Sequence, residues 1–275
     1  MGKGIHISYQ PGHGKHTLYE KGLTLVHPFY GEAKRFETLY NNHWMQYRSE
    51  IKDKLKIVIA DDCGTPAIHI LMSPSKLKRL DINLSIYRIL KDLKYNTPGA
   101  LNLGIMVADT EHVLIMDSDC TFSDEEMHKI MSFKPERNWV YKFRRNRITN
   151  DSKWKMNTRY LPCTMLFHKD MFLHINGFDE DFTGEYSGGY AFFDNHFDFK
   201  ILKYNYHIGV IHDITATEYM DDLVGNRVFR TLGHENINRQ LRYDKQENRK
   251  PESTHMLRFS WERTFCNRRS NVTPV

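Results

Sequence analysis

A chain of 275 residues can bury a substantial core as one large domain, or one domain with an appendage, without cross-links to hold it. Its four cysteines, Cys63, Cys120, Cys163 and Cys266, show no CxxC or Cys/His spacing, which argues against a disulfide framework or zinc module and for a reducing compartment. No run approaches the ~20 apolar residues of a membrane span, residues 1–30 lack a signal-peptide core, and a net charge of +5 is interleaved with acids over most of the chain, so a soluble, cytoplasmic protein with no nucleic-acid partner is expected.

Residues 1–22 carry turn formers and little apolar content, and read as an N-terminal arm. Gly14-Lys15 has the look of a phosphate-binding P-loop end, but His16 takes the Ser/Thr place and no apolar strand precedes it. Leu23 to Tyr30 reads as a buried strand ended by Pro28, followed by an amphipathic helix through Phe36, Leu39, Trp44 and Tyr47. Lys56 to Ala60 is a second strand, running into the turn Asp61-Asp62-Cys63-Gly64-Thr65-Pro66. Residues 79 to 89 fit either a helix or a strand, and alternation with β-branched content favours strand. Asn96-Thr97-Pro98-Gly99 opens a helix through Leu103 and Val107. His112 to Met116 is a further strand, ending at Asp117-Ser118-Asp119, and Ser123 with Glu126 has capping-box spacing for a helix from Asp124.

Further strands are expected at Trp139 to Phe143 and over 204 to 212, with an apolar segment from Leu161 to Phe167. The basic run Arg144, Arg145, Arg147 reads as a solvated strand end. From about residue 226 the chain becomes polar, basic and helical in pattern. This order predicts an α/β fold, a mostly parallel sheet flanked by helices over residues 23–225, with residues 226–275 a basic C-terminal helical appendage. The basic bias of that appendage suits an anionic donor or peripheral contact with an anionic membrane surface; the plainer reading is a solvated tail.

Ligands of such sheets bind beyond the carboxyl ends of the strands. Three ends carry useful chemistry: Pro28-Phe29-Tyr30, Asp61-Asp62 and Asp117-Ser118-Asp119. In extended backbone Asp117 and Asp119 face one side, and two hard oxygen ligands suit Mg²⁺ or Mn²⁺ together with diphosphate oxygens. Asp61 or Asp62 offers an acceptor to a nucleobase imide or a ribose; the plainer reading is an Asx turn.

In that order, strand-Pro-Phe-Tyr, strand-Asp-Asp-Cys-Gly-Thr, Pro98-Gly-Ala-Leu-Asn-Leu-Gly104 and Val113-Leu-Ile-Met-Asp-Ser-Asp119 closely resemble the GT-A glycosyltransferases of inverting family 2. Leu166-Phe-His-Lys169 and Asn176-Gly-Phe-Asp-Glu180 look like the segment before that family's acceptor site. The resemblance implies a GT-A, Rossmann-like fold and transfer of a sugar from a nucleotide-sugar, by default a UDP-sugar, to the hydroxyl of a saccharide or other acceptor. It implies donor binding by Pro28, Phe29, Tyr30, Asp61, Asp62, Asn96, Gly99, Asn102, Asp117 and Ser118, and metal binding by Asp117 and Asp119, with His212 as a third ligand. The glycine-rich loop with Glu185, Tyr186, Gly188 and Gly189 would meet the acceptor. The family's base is the Asp of a Glu-Asp pair; here Phe193-Asp194 matches, so Asp194 is the candidate base, with Asp198 and Glu185 as alternatives. Leu101 stands where the family usually has Arg.

Two rival functions differ from transfer. A sugar-1-phosphate nucleotidyltransferase also pairs Asp residues on such a sheet, but opens with a glycine-rich basic loop after its first strand, where this chain has Pro28-Phe29-Tyr30. A non-catalytic, degenerate transferase acting as a glycan-binding module is favoured only by the missing Glu before Asp194.

Overall fold

A computed structural model describes residues 5–7, 19, 22–31, 33–72, 81–93, 95–148, 154–184, 192–219 and 235–267. Strand alternation sets the layers. On β2 (Leu23–Phe29), Leu23, Leu25 and Phe29 enter one apolar layer and Val26 the other. On β3 (Leu55–Asp61), Leu55, Ile57 and Ile59 face the first layer and Val58 the second. On β5 (His112–Ile115), Leu114 faces the first, and Val113 and Ile115 the second. A sheet buried on both faces needs helices on both.

The first layer is covered by α1 (Ala33–Asn42), α2 (Ser49–Lys54), α3 (Ile68–Leu71) and α5 (Asp124–Ser132), through Phe36, Ile51, Ile68, Met127 and Ile130. The second is covered by α4 (Thr97–Val107), α6 (Lys169–His174) and α7 (Phe193–Lys203), through Leu101, Ile105, Phe172, Phe193 and Phe197. Each fully buried side chain of this size contributes roughly 1.5–3 kcal/mol. Gly104 lets α4 lie close on the sheet, since a Cβ there would collide with the Val26 side chain.

Among the described residues, β1 (Ile5–Ile7), β4 (Asn83–Ile89), β6 (Cys120–Thr121), β7 (Trp139–Ile148), β8 (Trp154–His168), β9 (His207–Tyr219) and β10 (Trp261–Asn267) complete one ten-stranded sheet. Its order is β1-β9-β7-β8-β5-β2-β3-β4-β10, with β6 paired to β9. Neighbours β4, β3, β2 and β5 are parallel, as are β7, β9 and β1, while β8 runs antiparallel between β5 and β7. The carboxyl ends of β2, β3, β4 and β5 therefore share one edge.

The α/β sheet expected from the sequence is the one observed, including the ambiguous 79–89 segment, which is strand over Asn83–Ile89. Ser123 caps α5 by accepting from the Glu126 N–H, as its spacing predicts. Several details differ. Pro28 lies within β2, paired with Ala60, and does not end it. Arg144, Arg145 and Arg147 continue β7 alongside β9, and Arg145 reaches Glu218 at 3.3 Å. In the arm, Ile5–Ile7 pairs with β9. The chain past 226 holds helix α8 (Glu235–Gln246) as expected, but then strand β10, which pairs antiparallel with β4. All four cysteines are free. No helix among the described residues is long and apolar enough to cross a membrane.

Candidate active site

The ends of β2 and β3 are tied together by Asp62, whose N–H donates to the Phe29 carbonyl at 2.8 Å. Asp61 is spent on the turn it begins. One carboxylate oxygen accepts from Gly64 N–H (2.8 Å), and the other from Ile68 N–H (3.1 Å) and Arg88 Nη1 (2.8 Å). Burial raises its carboxyl, and those three donors oppose the shift. Asp61 thus fills the Asx-turn role, and Arg88 at the end of β4 is its counter-ion. Asp62, also buried, accepts from Asn96 Nδ2 at 3.1 Å, and burial pushes its carboxyl up to about 7. Tyr30 donates to Asp92 at 3.2 Å, with its hydroxyl raised to about 12 by burial and that carboxylate.

The residues expected on α4 divide. Asn96 stands beside Asp62, and its Oδ1 is buried with no hydrogen-bond partner among the described residues. Gly99 is packed against Asn96 and Phe259, so its small size serves packing. Asn102 is turned to structure: its Nδ2 donates to the Phe178 carbonyl and Glu180 Oε1, and its Oδ1 accepts from Phe178 N–H. That full set of bonds removes Asn102 from the donor site.

Asp117-Ser118-Asp119 is not extended. Cys120 N–H donates to the Asp117 carbonyl at 3.0 Å and closes a turn, so the strand argument for convergence of the two carboxylates does not apply. Asp117 Oδ1 accepts from Ser118 N–H, Asp119 Oδ1 accepts from the Cys120 thiol, and all three turn residues are half-buried. Among the described residues no group of three or more His, Cys, Asp or Glu could hold a metal ion. Two hard carboxylates at a strand's end fit a divalent ion whose remaining ligands come from a diphosphate and water, and do not make a closed protein site.

His212 does not complete such a site. β9 departs from β7 between Ile211 and Thr215, and His212 stands in that bulge, where Arg144 Nε donates to its Nδ1 at 3.1 Å. The β9 residue that meets Asp119 is Tyr219, seven positions on, through a 2.8 Å bond to the Asp119 carbonyl. Among the described residues His212 forms no three-ligand group with Asp117 and Asp119.

Across the edge stands the first turn of α7. Phe193 and Phe197 are buried in the second layer, and Asp194 and Asp198, one turn apart, stand half-buried beside that stripe. Burial raises both carboxyls, and Lys142 of β7 opposes the shift in each. The Lys142 ammonium is wholly buried and contacts Asp198 at 2.6 and 2.7 Å. Burial pushes the Cys163 thiol on β8 up, as do the charges of Asp194, Asp117 and Asp198, and the next residue, Thr164, accepts from Asp117 N–H at 3.3 Å. The loop with Glu185, Tyr186, Gly188 and Gly189 lies outside the described residues.

Sequence reasoning missed Arg88, Lys142 and Arg242. The signal for Lys142 was present: a lone charge inside the apolar strand Trp139–Phe143. Arg242 arrives on α8, with its guanidinium 5.2 Å from the Phe192 ring centroid, and its charge lowers Asp194. The segment after α8 is bound by Asp179, Glu180 and Asp181: Glu180 accepts from Leu257 and Arg258 N–H, and Lys245 and Arg258 pair with the two aspartates.

In structure the chain is similar to S. aureus TarS 1-349 in complex with UDP-GlcNAc, with a TM-score of 0.57 and 16% identity over 76% of this chain and 61% of that one. It is also similar to the mannosyltransferase PcManGT from Pyrobaculum calidifontis in complex with GDP-Man and Mn²⁺ (TM-score 0.53, 18% identity, 86% and 66% covered). A third likeness is to GalNAc-T7 with UDP, GalNAc and Mn²⁺ (TM-score 0.54, 11% identity, 75% and 45% covered). The chain spans about 60% of the length of the TarS fragment it matches. These likenesses give the GT-A fold. No curated protein matches the chain in sequence. The model of glycosyl transferase family 2 matches residues 24–206, more than half of the chain, and the chain belongs to that family.

Proposed function

We propose that the protein transfers a sugar from a nucleotide-diphosphate sugar to an acceptor hydroxyl, with inversion at the anomeric carbon. The observation that carries this reading is that Asp117 and α7 stand over the same stretch of β8: Asp117 N–H donates to Thr164 Oγ1 at 3.3 Å, and Lys142, paired with Met165, holds Asp198 one turn from Asp194. A donor-side carboxylate and a half-buried base candidate thus stand over neighbouring strands of the sheet. Asp62, beside Asn96, takes the nucleobase or ribose, since Asp61 has both oxygens engaged. Asp117 and Asp119 are the residues that would hold a divalent ion, Mn²⁺ or Mg²⁺, which when bound would supply positive charge to the leaving diphosphate.

Asp194 accepts the acceptor hydroxyl's proton as the oxygen attacks the anomeric carbon on the face opposite the leaving diphosphate. Phe193, standing where the family has Glu, faces the core against Tyr95 and Phe178, so its loss of charge leaves the cleft side of α7 unchanged. The acceptor meets the 185–189 loop. UDP is the proposed nucleotide, supported by the UDP-GlcNAc and UDP complexes of TarS, while the GDP-Man complex of PcManGT makes GDP the competitor. A thermal-shift panel of UDP, GDP and their sugars, with and without Mn²⁺, tests the donor side: a ligand that binds the native state alone raises the unfolding temperature. Absence of any Mn²⁺-dependent shift across the panel rejects the reading.

A further inference from the structure

The Lys142 side chain lies on the α7 side of the sheet, since Val140 two residues earlier packs in that layer while Tyr141 and Phe143 pack in the other. Its ammonium has no exposure to water, contacts both oxygens of Asp198 and stands 5.0 Å over the Tyr160 ring. A buried lysine is costly unless fully paired. One carboxylate would suffice for that pairing, yet α7 presents two, with Asp194 one turn before Asp198. Among the described residues, other charged or titratable groups that act with Asp194 and Asp198 are Arg242 of α8, Asp117 of the β5–β6 turn and the Cys163 thiol of β8.

We infer that Lys142 is a positioning residue for the candidate base: clamped by Asp198, its ammonium supplies the fixed positive charge that keeps the Asp194 carboxyl ionised and ready to accept a proton. The inference rests on the proposed role of Asp194. Two half-buried acids a turn apart repel each other, and a cation clamped by one of them offsets that repulsion at the other. Burial raises Asp194 and Lys142 opposes it, in agreement with this division of roles. Asp198 in turn fixes where the ammonium sits, so the pair acts on Asp194 as a unit.

The two partners give tests of opposite sign. Removing the cation by Lys142→Met leaves two acids to share what remains of the positive charge, and the Asp194 carboxyl should titrate higher by about one pH unit or more. Removing the competing acid by Asp198→Asn leaves the Lys142 charge to Asp194 alone, and the same carboxyl should titrate lower. Lys142→Arg keeps the charge and should leave it near its wild-type position. The measurement is a pH titration of the aspartate carboxyl carbons by NMR in ¹³C-labelled full-length protein, with the Asp194 signal assigned from Asp194→Asn. Shifts of opposite sign in the two variants support the inference; an Asp194 carboxyl unmoved in Asp198→Asn overturns it, whether or not Lys142→Met folds. Because this readout follows protonation and not turnover, it stays separate from failure of the base assignment, which Asp194→Asn kinetics decide.

Discussion

Lys245 Nζ lies 2.7 Å from Asp179 Oδ2 and 2.7 Å from Asp181 Oδ2, and joins the end of α8 to the loop that follows Phe178. The Pro251 carbonyl takes a third bond at 2.7 Å, so all three ammonium protons are used. The lysine and Asp179 are both buried, which makes this connection one of high stakes: intact it fixes the C-terminal segment, and with one partner missing it strands a charge.

Replacing Lys245 by Met should therefore cost about 3–5 kcal/mol of stability in urea unfolding. Burial raises Asp181, but Lys245 and Arg258 more than offset it and hold its carboxyl below the usual range. A depressed carboxyl stabilises the fold above its unfolded value, near 4, and that contribution is lost as pH falls through the lower folded value. The wild-type protein should lose this increment below about pH 4, and Lys245→Met, which keeps Arg258 on Asp181, should show a smaller one. A variant with the wild-type urea midpoint would show that the lock is idle.

Asp61 and Asp62, indistinguishable in sequence, should separate on mutation. Asp61→Asn breaks the pair with buried-side Arg88 and should destabilise the fold by roughly 3 kcal/mol or more. Asp62→Asn should instead weaken UDP binding by ten- to a hundredfold, about what a hydrogen bond to a charged group is worth. Asp62 also has the opposite pH signature to Asp181. Its folded value, about 7, lies above the unfolded one, so its contribution is present below about pH 4 and fades as pH rises to 7. Unfolding midpoints at pH 5 and 8, compared between wild type and Asp62→Asn, should differ less in the variant. Equal UDP affinity in wild type and Asp62→Asn would move the nucleoside site elsewhere.

The layers of the sheet were legible because apolar alternation is a local property: Leu23, Leu25 and Val26, or Leu114 and Ile115, choose faces by their position in the strand. Strand ends followed, and with them the edge that holds the site. What stayed hidden depends on contacts between distant positions. Asp61 looks like Asp62 until Arg88 and the Ile68 N–H are seen to occupy it. Asn102 reads as a ligand group until the Phe178 backbone, 76 residues away, takes both ends of its amide. His212 reads as the end of a strand because Asp213 follows it, whereas β9 bulges there and runs on to Tyr219.

Asp119→Ala should lower affinity for UDP with Mn²⁺ by at least tenfold in calorimetry, while the unfolding temperature without nucleotide stays near wild type. The turn itself is held by the backbone bond from Cys120 to Asp117, and the Asp119 side chain contacts only the neighbouring thiol among the described hydrogen bonds. A loss of affinity without loss of fold therefore isolates the ligand role. His212→Ala, by contrast, should leave the Mn²⁺ dependence unchanged, because His212 is held by Arg144 away from the turn. Equal Mn²⁺-dependent binding in wild type and Asp119→Ala would discard the turn as the metal site.

Asp194→Asn should lower turnover by about a hundredfold or more while leaving UDP and Mn²⁺ affinity nearly unchanged, because a general base acts in the transition state and not on the bound donor. Three features converge on this residue: it occupies the first turn of α7, one turn before the Asp198 that Lys142 clamps, its carboxyl is raised by burial and so is a stronger base than an exposed aspartate, and Lys142 and Arg242 keep that rise in check. Asp198 is the alternative by position alone, but both its oxygens are engaged by Lys142. Attack from the side of α7, opposite the leaving diphosphate, requires that the product have the anomeric configuration inverse to the donor's. Transfer kinetics and product stereochemistry by NMR, measured on one preparation, decide both points. Retention of configuration would reject the inverting mechanism. Inversion with an unimpaired Asp194→Asn enzyme would instead pass the proton to Glu185 in the acceptor loop, and leave the fold and the donor side of the site as they stand.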